Sequence, residues 1–138
     1  MPHEAFFRKE LVIELRKVAE MMRNEKNPEK KIYYFSAAFG ITNRTIRYVF
    51  SSDVLLADLV LTASYQQLME RLHLCKTGDI TVPLTEALFQ NLSQALWDLA
   101  QAFEAGTSIQ QPLERIYTLT FSITGPGYYL KEKGMIPI

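Results

Sequence analysis

The chain is poor in the residues that build reactive or cross-linked sites. Among 138 residues there is one cysteine, Cys75, and there are two histidines, His3 and His73. A single thiol excludes an internal disulfide framework and any zinc site built from several cysteines. The two histidines are far apart in sequence, and Cys75 has no evident base partner. Nothing resembles a phosphate-binding loop or a catalytic carboxylate pair. The expectation is therefore no enzyme, no metal and no cofactor. No apolar run approaches the ~20 residues that cross a bilayer. The opening Met1-Pro2-His3-Glu4 lacks an apolar signal core, so the expected compartment is the cytoplasm.

Hydrophobic residues make up 48% of the chain and charged residues 22%, a globular composition. The net charge of zero hides an asymmetry. Residues 1–50 carry ten Lys/Arg against six Glu, a balance of +4, whereas residues 51–115 carry three against eight, or −5. A basic N-terminal part joined to an acidic remainder suits a nucleic-acid-facing head on a separate body.

Periodicity predicts a helix over 4–25, with Phe7, Leu11, Leu15, Val18 and Met22 on one stripe. Asn27 and Pro28 are a capping residue and a first-turn residue for a second helix, expected to end near Phe39. Gly40 then suits a left-handed helix end, and Thr42 can cap a short third helix over Asn43–Val49. In that helix Ile46, Val49 and Phe50 would dock on its neighbours. A longer helix follows over about 53–74, apolar nearly all round between Val54 and Ala63, and so expected to be packed on more than one side. Glu70 and His73 have the spacing of half a di-iron carboxylate site, but no second such motif exists, and they read as part of a solvated strip. Thr81-Val82-Pro83 opens a helix to about Glu104. It carries a stripe of Leu88, Leu92, Ala95, Leu96, Leu99 and Phe103, with Trp97 beside it. Residues 112–124 give a helical stripe, yet Tyr117–Thr124 alternates as a strand would, with Gly125-Pro126-Gly127 able to turn it back onto Tyr128-Tyr129-Leu130. Helix is the expectation there, because every preceding element is helical.

An apolar helix end, Gly40, Ile41, a capping Thr42 and an Arg-bearing helix form the local grammar of a helix-turn-helix. Asn43, Arg44 and Thr45 are the expected base-facing residues, because Arg can bridge the two acceptors of guanine and Asn can pair with adenine. Thr42 sits at the same DNA-facing edge. Lys30, Lys31, Arg47 and Tyr48 are expected on phosphates.

Over about residues 11–60, and densely from 31 to 56, the chain resembles the TetR family of transcriptional regulators. Gly40-Ile41-Thr42 matches that family's turn, Thr45-Ile46 its Thr-Leu pair and Phe50 its closing aromatic. Ser52-Asp53-Val54-Leu55-Leu56 matches the lead-in to its fourth helix. Three positions depart from the pattern: Arg44 replaces a small residue near the start of the recognition helix, Arg47 replaces a phosphate-contacting Tyr, and Asp53 replaces a backbone-contacting Lys. The run from Gly40 to Tyr48 also resembles MerR-type regulators over about ten residues.

The resemblance implies an all-α fold: a three-helix helix-turn-helix head over 1–51 and a short helical body over 52–138. It further implies a homodimer paired through the helices near 82–105 and 112–124, double-stranded DNA as partner with a pseudo-palindromic operator, and a small-molecule effector. The alternative is a helical protein-interaction module that keeps the head as scaffold without DNA binding, motivated by Asp53 and the short body.

Overall fold

Asn27 begins a helix as its side chain allows: the amide oxygen accepts from the Glu29 amide at 2.9 Å, and Pro28 follows in the first turn. Similar local rules set three of the other boundaries. The Thr85 hydroxyl accepts from the Leu88 amide at 3.1 Å, and Gly78 and Gly106 close two helices at φ of 76° and 70°. In the computed structural model, residues 2–78, 84–121 and 132–134 are described. They form an all-α fold with α1 (Pro2–Asn24), α2 (Pro28–Ile46), α3 (Ser52–Thr77), α4 (Glu86–Ala105) and α5 (Gln110–Phe121).

The helices close a ring: α2 packs on α1, α1 on α4, α4 on α5, α5 on α3 and α3 on α2. Pairing of Arg16 with Glu104 and of Arg23 with Gln94 makes α1 and α4 antiparallel. Thr42 with Asp58 and Glu29 with Lys76 do the same for α2 and α3. Inside the ring lie Leu11, Leu15, Met22, Phe35, Leu61, Leu68, Leu92, Leu96 and Leu99, all fully buried. The Ser93 hydroxyl donates to the Ala19 carbonyl at 2.6 Å, so α4 approaches α1 through a small side chain. Packing thus runs across position 51, with α1 seated on α4.

The expected turn at Gly40-Ile41-Thr42 is absent. One helix, α2, runs from Pro28 to Ile46, and only residues 47 and 48 form a turn before α3. Gly40 lies on the exposed side without a positive φ. The reason is registry. Ile32, Phe35, Ala38, Ile41, Thr42 and Thr45 keep helical spacing straight through the glycine, and all are buried. Holding a glycine in a helix costs roughly 1 kcal/mol relative to alanine. Burial of Ile41 alone offsets that, at about 1.5–3 kcal/mol for a large aliphatic side chain.

Phe50, expected to dock, is 92% exposed. Val49, expected to dock beside it, does so and is 2% exposed. At the other end of the chain, residues 110–121 are helical, so the alternating Tyr117–Phe121 pattern does not make a strand. The Gly125-Pro126-Gly127 turn and Tyr128-Tyr129-Leu130 lie outside the described residues.

Candidate interaction surface

The continuity of α2 decides where its polar residues point. Lys31 is buried, with its ammonium 3.2 Å from the Glu86 carboxylate and 5.5 Å from the Phe89 ring centroid. Thr42 is buried, donating to Asp58 Oδ1 at 2.8 Å and lying 3.0 Å from the Phe39 carbonyl. Thr45 is buried, donating to the Ile41 carbonyl at 2.8 Å. These three side chains therefore face the protein, not solvent. Helical registry places them on the stripe that carries Phe35 and Ala38.

Lys30, Asn43, Arg44, Arg47 and Tyr48 are exposed. Arg47 Nη2 donates to Asn43 Oδ1 at 3.2 Å, an i, i+4 pair that ties up one acceptor. Tyr48 stacks flat on Phe7 at 4.0 Å, with 5° between the rings. Lys30 stands near the start of α2, 14 residues and therefore roughly 21 Å along the helix from Arg44. The exposed cations thus do not gather on one short segment.

Asp53 is engaged within the chain. Its carboxylate accepts from Arg8 at 3.3 and 3.4 Å, from the Val54 amide at 2.8 Å and from the Ser51 hydroxyl. Burial by itself would raise its pKa, but the Ser51, Arg8 and Val54 bonds together outweigh it and hold the group below the usual carboxylate range. Across the molecule the Arg16 guanidinium pairs with Glu104 at 3.0 Å and lies 5.3 Å over the Trp97 ring. That places Trp97 at the α1–α4 seam.

The outer side of α3 is different in kind. Leu55, Leu56, Leu59 and Met69 are 41, 48, 59 and 40% exposed. Leu55, Leu59, Thr62, Gln66 and Met69 alternate spacings of four and three, the heptad rhythm of a helix that meets another helix. Between Val54 and Met69 the only charge is Asp58, which bonds Thr42 of the same chain. Beside this face, Leu56, Val60, Leu113 and Tyr117 line a groove of about 320 Å³ between α3 and α5. The apolar run from Val54 to Ala63, expected to be packed on more than one side, thus leaves one side uncovered. Its four–three spacing was the signal for that face in the sequence.

Among the described residues no three His, Cys, Asp or Glu side chains gather as a metal site, and Glu70 and His73 are exposed. No helix among them is long and apolar enough to cross a membrane. No protein-family model, curated protein or solved structure matches the chain.

Proposed function

We propose that the chain is a helical protein-interaction module that pairs with a second copy of itself through the outer face of α3. The observation that carries this is the charge-free heptad stripe Leu55–Leu59–Thr62–Gln66–Met69, exposed except at half-buried Thr62. Monomeric proteins rarely leave such a patch bare. A two-fold interface sets the same surface against itself, so any unpaired charge would meet its own kind. A face with no free charge avoids that repulsion, which favours a second copy as occupant. Small Thr62 and Ala63 at mid-stripe let the two helices approach, while the leucines and Met69 supply apolar contact.

This reading moves the dimer contact away from the helices near 82–105 and 112–124. The exposed positions of α4 are polar or small, Gln90, Asn91, Gln94 and Gln101 among them, and offer little apolar area to a partner. Of the exposed large apolar residues, Tyr117 of α5, 43% exposed, would join the α3 interface. Oxidative crosslinking tests the geometry: in a Cys75→Ser background, Thr62→Cys forms a disulfide-linked dimer, whereas Gln94→Cys stays monomeric on a non-reducing gel. Crosslinking at position 94 without crosslinking at 62 would return the interface to α4.

A second reading, DNA binding, is favoured by the exposure of Asn43, Arg44, Arg47 and Tyr48 where α2 ends. It would rest on Asn43 and Arg44 for bases and on Lys30, Arg47 and Tyr48 for phosphates, because Lys31, Thr42 and Thr45 are buried. Fluorescence anisotropy with random duplex DNA at low salt decides it. Binding that weakens in Arg44→Ala and Arg47→Ala supports this reading, and no binding removes it.

A further inference from the structure

On the inner side of α3, facing away from the bare stripe, sits a cation without a counter-charge among the described residues. Arg71 is 2% exposed, and its Nε and Nη2 have no hydrogen-bond partner among the described residues. These two nitrogens share one edge of the guanidinium plane, with their N–H bonds parallel. That edge is the fork that grips two oxygens of one oxyanion. One and two turns towards the N-terminus, Gln67 Oε1 and the Ser64 hydroxyl are also buried without partners. Spacings of three and four residues put Ser64, Gln67 and Arg71 on one face of α3.

Unlike a lysine, an arginine cannot discharge by losing its proton inside a protein. A buried guanidinium with its two-pronged edge unpaired is costly unless an anion meets it. Ser64 can donate a further bond to that anion, and Gln67, whose unpartnered atom is the acceptor Oε1, can do so with its amide turned to present the nitrogen. We infer that Ser64, Gln67 and Arg71 form a binding site for a small oxyanion, a phosphate or a carboxylate, held bidentate on the Nε–Nη2 edge of Arg71. The carboxylates that α3 shares with α2 are engaged elsewhere: Asp58 is bonded to Thr42 and Glu29 to Lys76.

The test is thermal unfolding of the full chain in sodium phosphate, in sodium acetate and in sodium chloride of matched ionic strength. A rise in Tm of about 3 °C or more in phosphate or in acetate, above the chloride value, is expected, and the arm that responds identifies the oxyanion. Arg71→Met is expected to abolish the rise while unfolding in chloride no lower than the wild type, because an apolar side chain replaces an unpaired charge. Should Arg71→Met fail to fold, Ser64→Ala serves instead, and a smaller anion response is expected from it. The proposal is overturned by a wild-type Tm that does not distinguish the three salts, or by an anion response that survives both substitutions. A folded Arg71→Met variant that unfolds well below the wild type in chloride also overturns it, by showing the guanidinium to be paired within the chain.

Discussion

The hydroxyl of Thr42 donates to the carboxylate of Asp58 across 2.8 Å, and this bond joins α2 to α3 at the place where a turn would otherwise stand. A residue suited to cap a DNA-reading helix instead holds two helices of the bundle together. Replacing it by the isosteric valine removes the donor and leaves Asp58 without its partner. Thr42→Val is expected to lower stability by about 1–2 kcal/mol in urea unfolding. An unchanged midpoint would remove the bond from the fold's supports.

Gly40 separates the two local structures by the sign of one substitution. A Cβ built there meets nothing within 4 Å, and the residue does not have a positive φ. In a continuous helix Gly40→Ala therefore stabilises, by about 0.5–1 kcal/mol. At a left-handed helix end the same change would destabilise. Urea midpoints of the two proteins report which backbone is present.

Lys31 gives a contrast between charge and packing. Its stem is enclosed and its ammonium meets Glu86 at 3.2 Å. Lys31→Met keeps most of the stem's volume and is expected to stay within about 1 kcal/mol of the wild type, whereas Lys31→Ala loses about 1–3 kcal/mol through packing. Calorimetry of both variants checks this. Equal losses would mean that charge, not packing, is what Lys31 contributes.

Asp53 makes part of the stability pH-dependent. Its pKa is lower in the folded chain than the ordinary 3.8, so its bonds to Ser51, Arg8 and Val54 contribute fully above that value. The contribution is lost as pH falls from there through the folded pKa. The Tm difference between wild type and Asp53→Asn is expected to be present at neutral pH and to shrink in acid. A difference independent of pH would contradict the pairing.

Much of the fold is written in short-range signals. The stripe of Leu11, Leu15, Val18 and Met22, the Asn27–Pro28 start and the Leu88–Leu99 stripe all appear where periodicity and capping put them. Gly40 misleads because a glycine, an apolar residue and a threonine spell a turn locally. The burial of Ile41, Thr42 and Thr45 is a tertiary fact that outweighs that local spelling. The Tyr117–Phe121 alternation fails for the same reason: Ile116 and Thr120, four apart, are both fully buried. The site was less legible than the fold. Arg44 and Arg47 are exposed as their type suggests, but nothing local reveals that Lys31 and Arg71 are buried, since such side chains usually reach water. Nor can hydrophobic content alone separate a helix packed on every side from one with a bare face, as α3 has.

The most direct measurement is sedimentation equilibrium of the wild type beside Leu59→Glu and Arg44→Glu. The chain mass is 15.9 kDa, so the wild type and Arg44→Glu are expected at twice that value. Leu59→Glu, which places a charge against its own copy, is expected at the single-chain mass with an unchanged helical circular dichroism spectrum. A wild type that is monomeric throughout, or a folded Leu59→Glu that remains dimeric, would contradict pairing through α3.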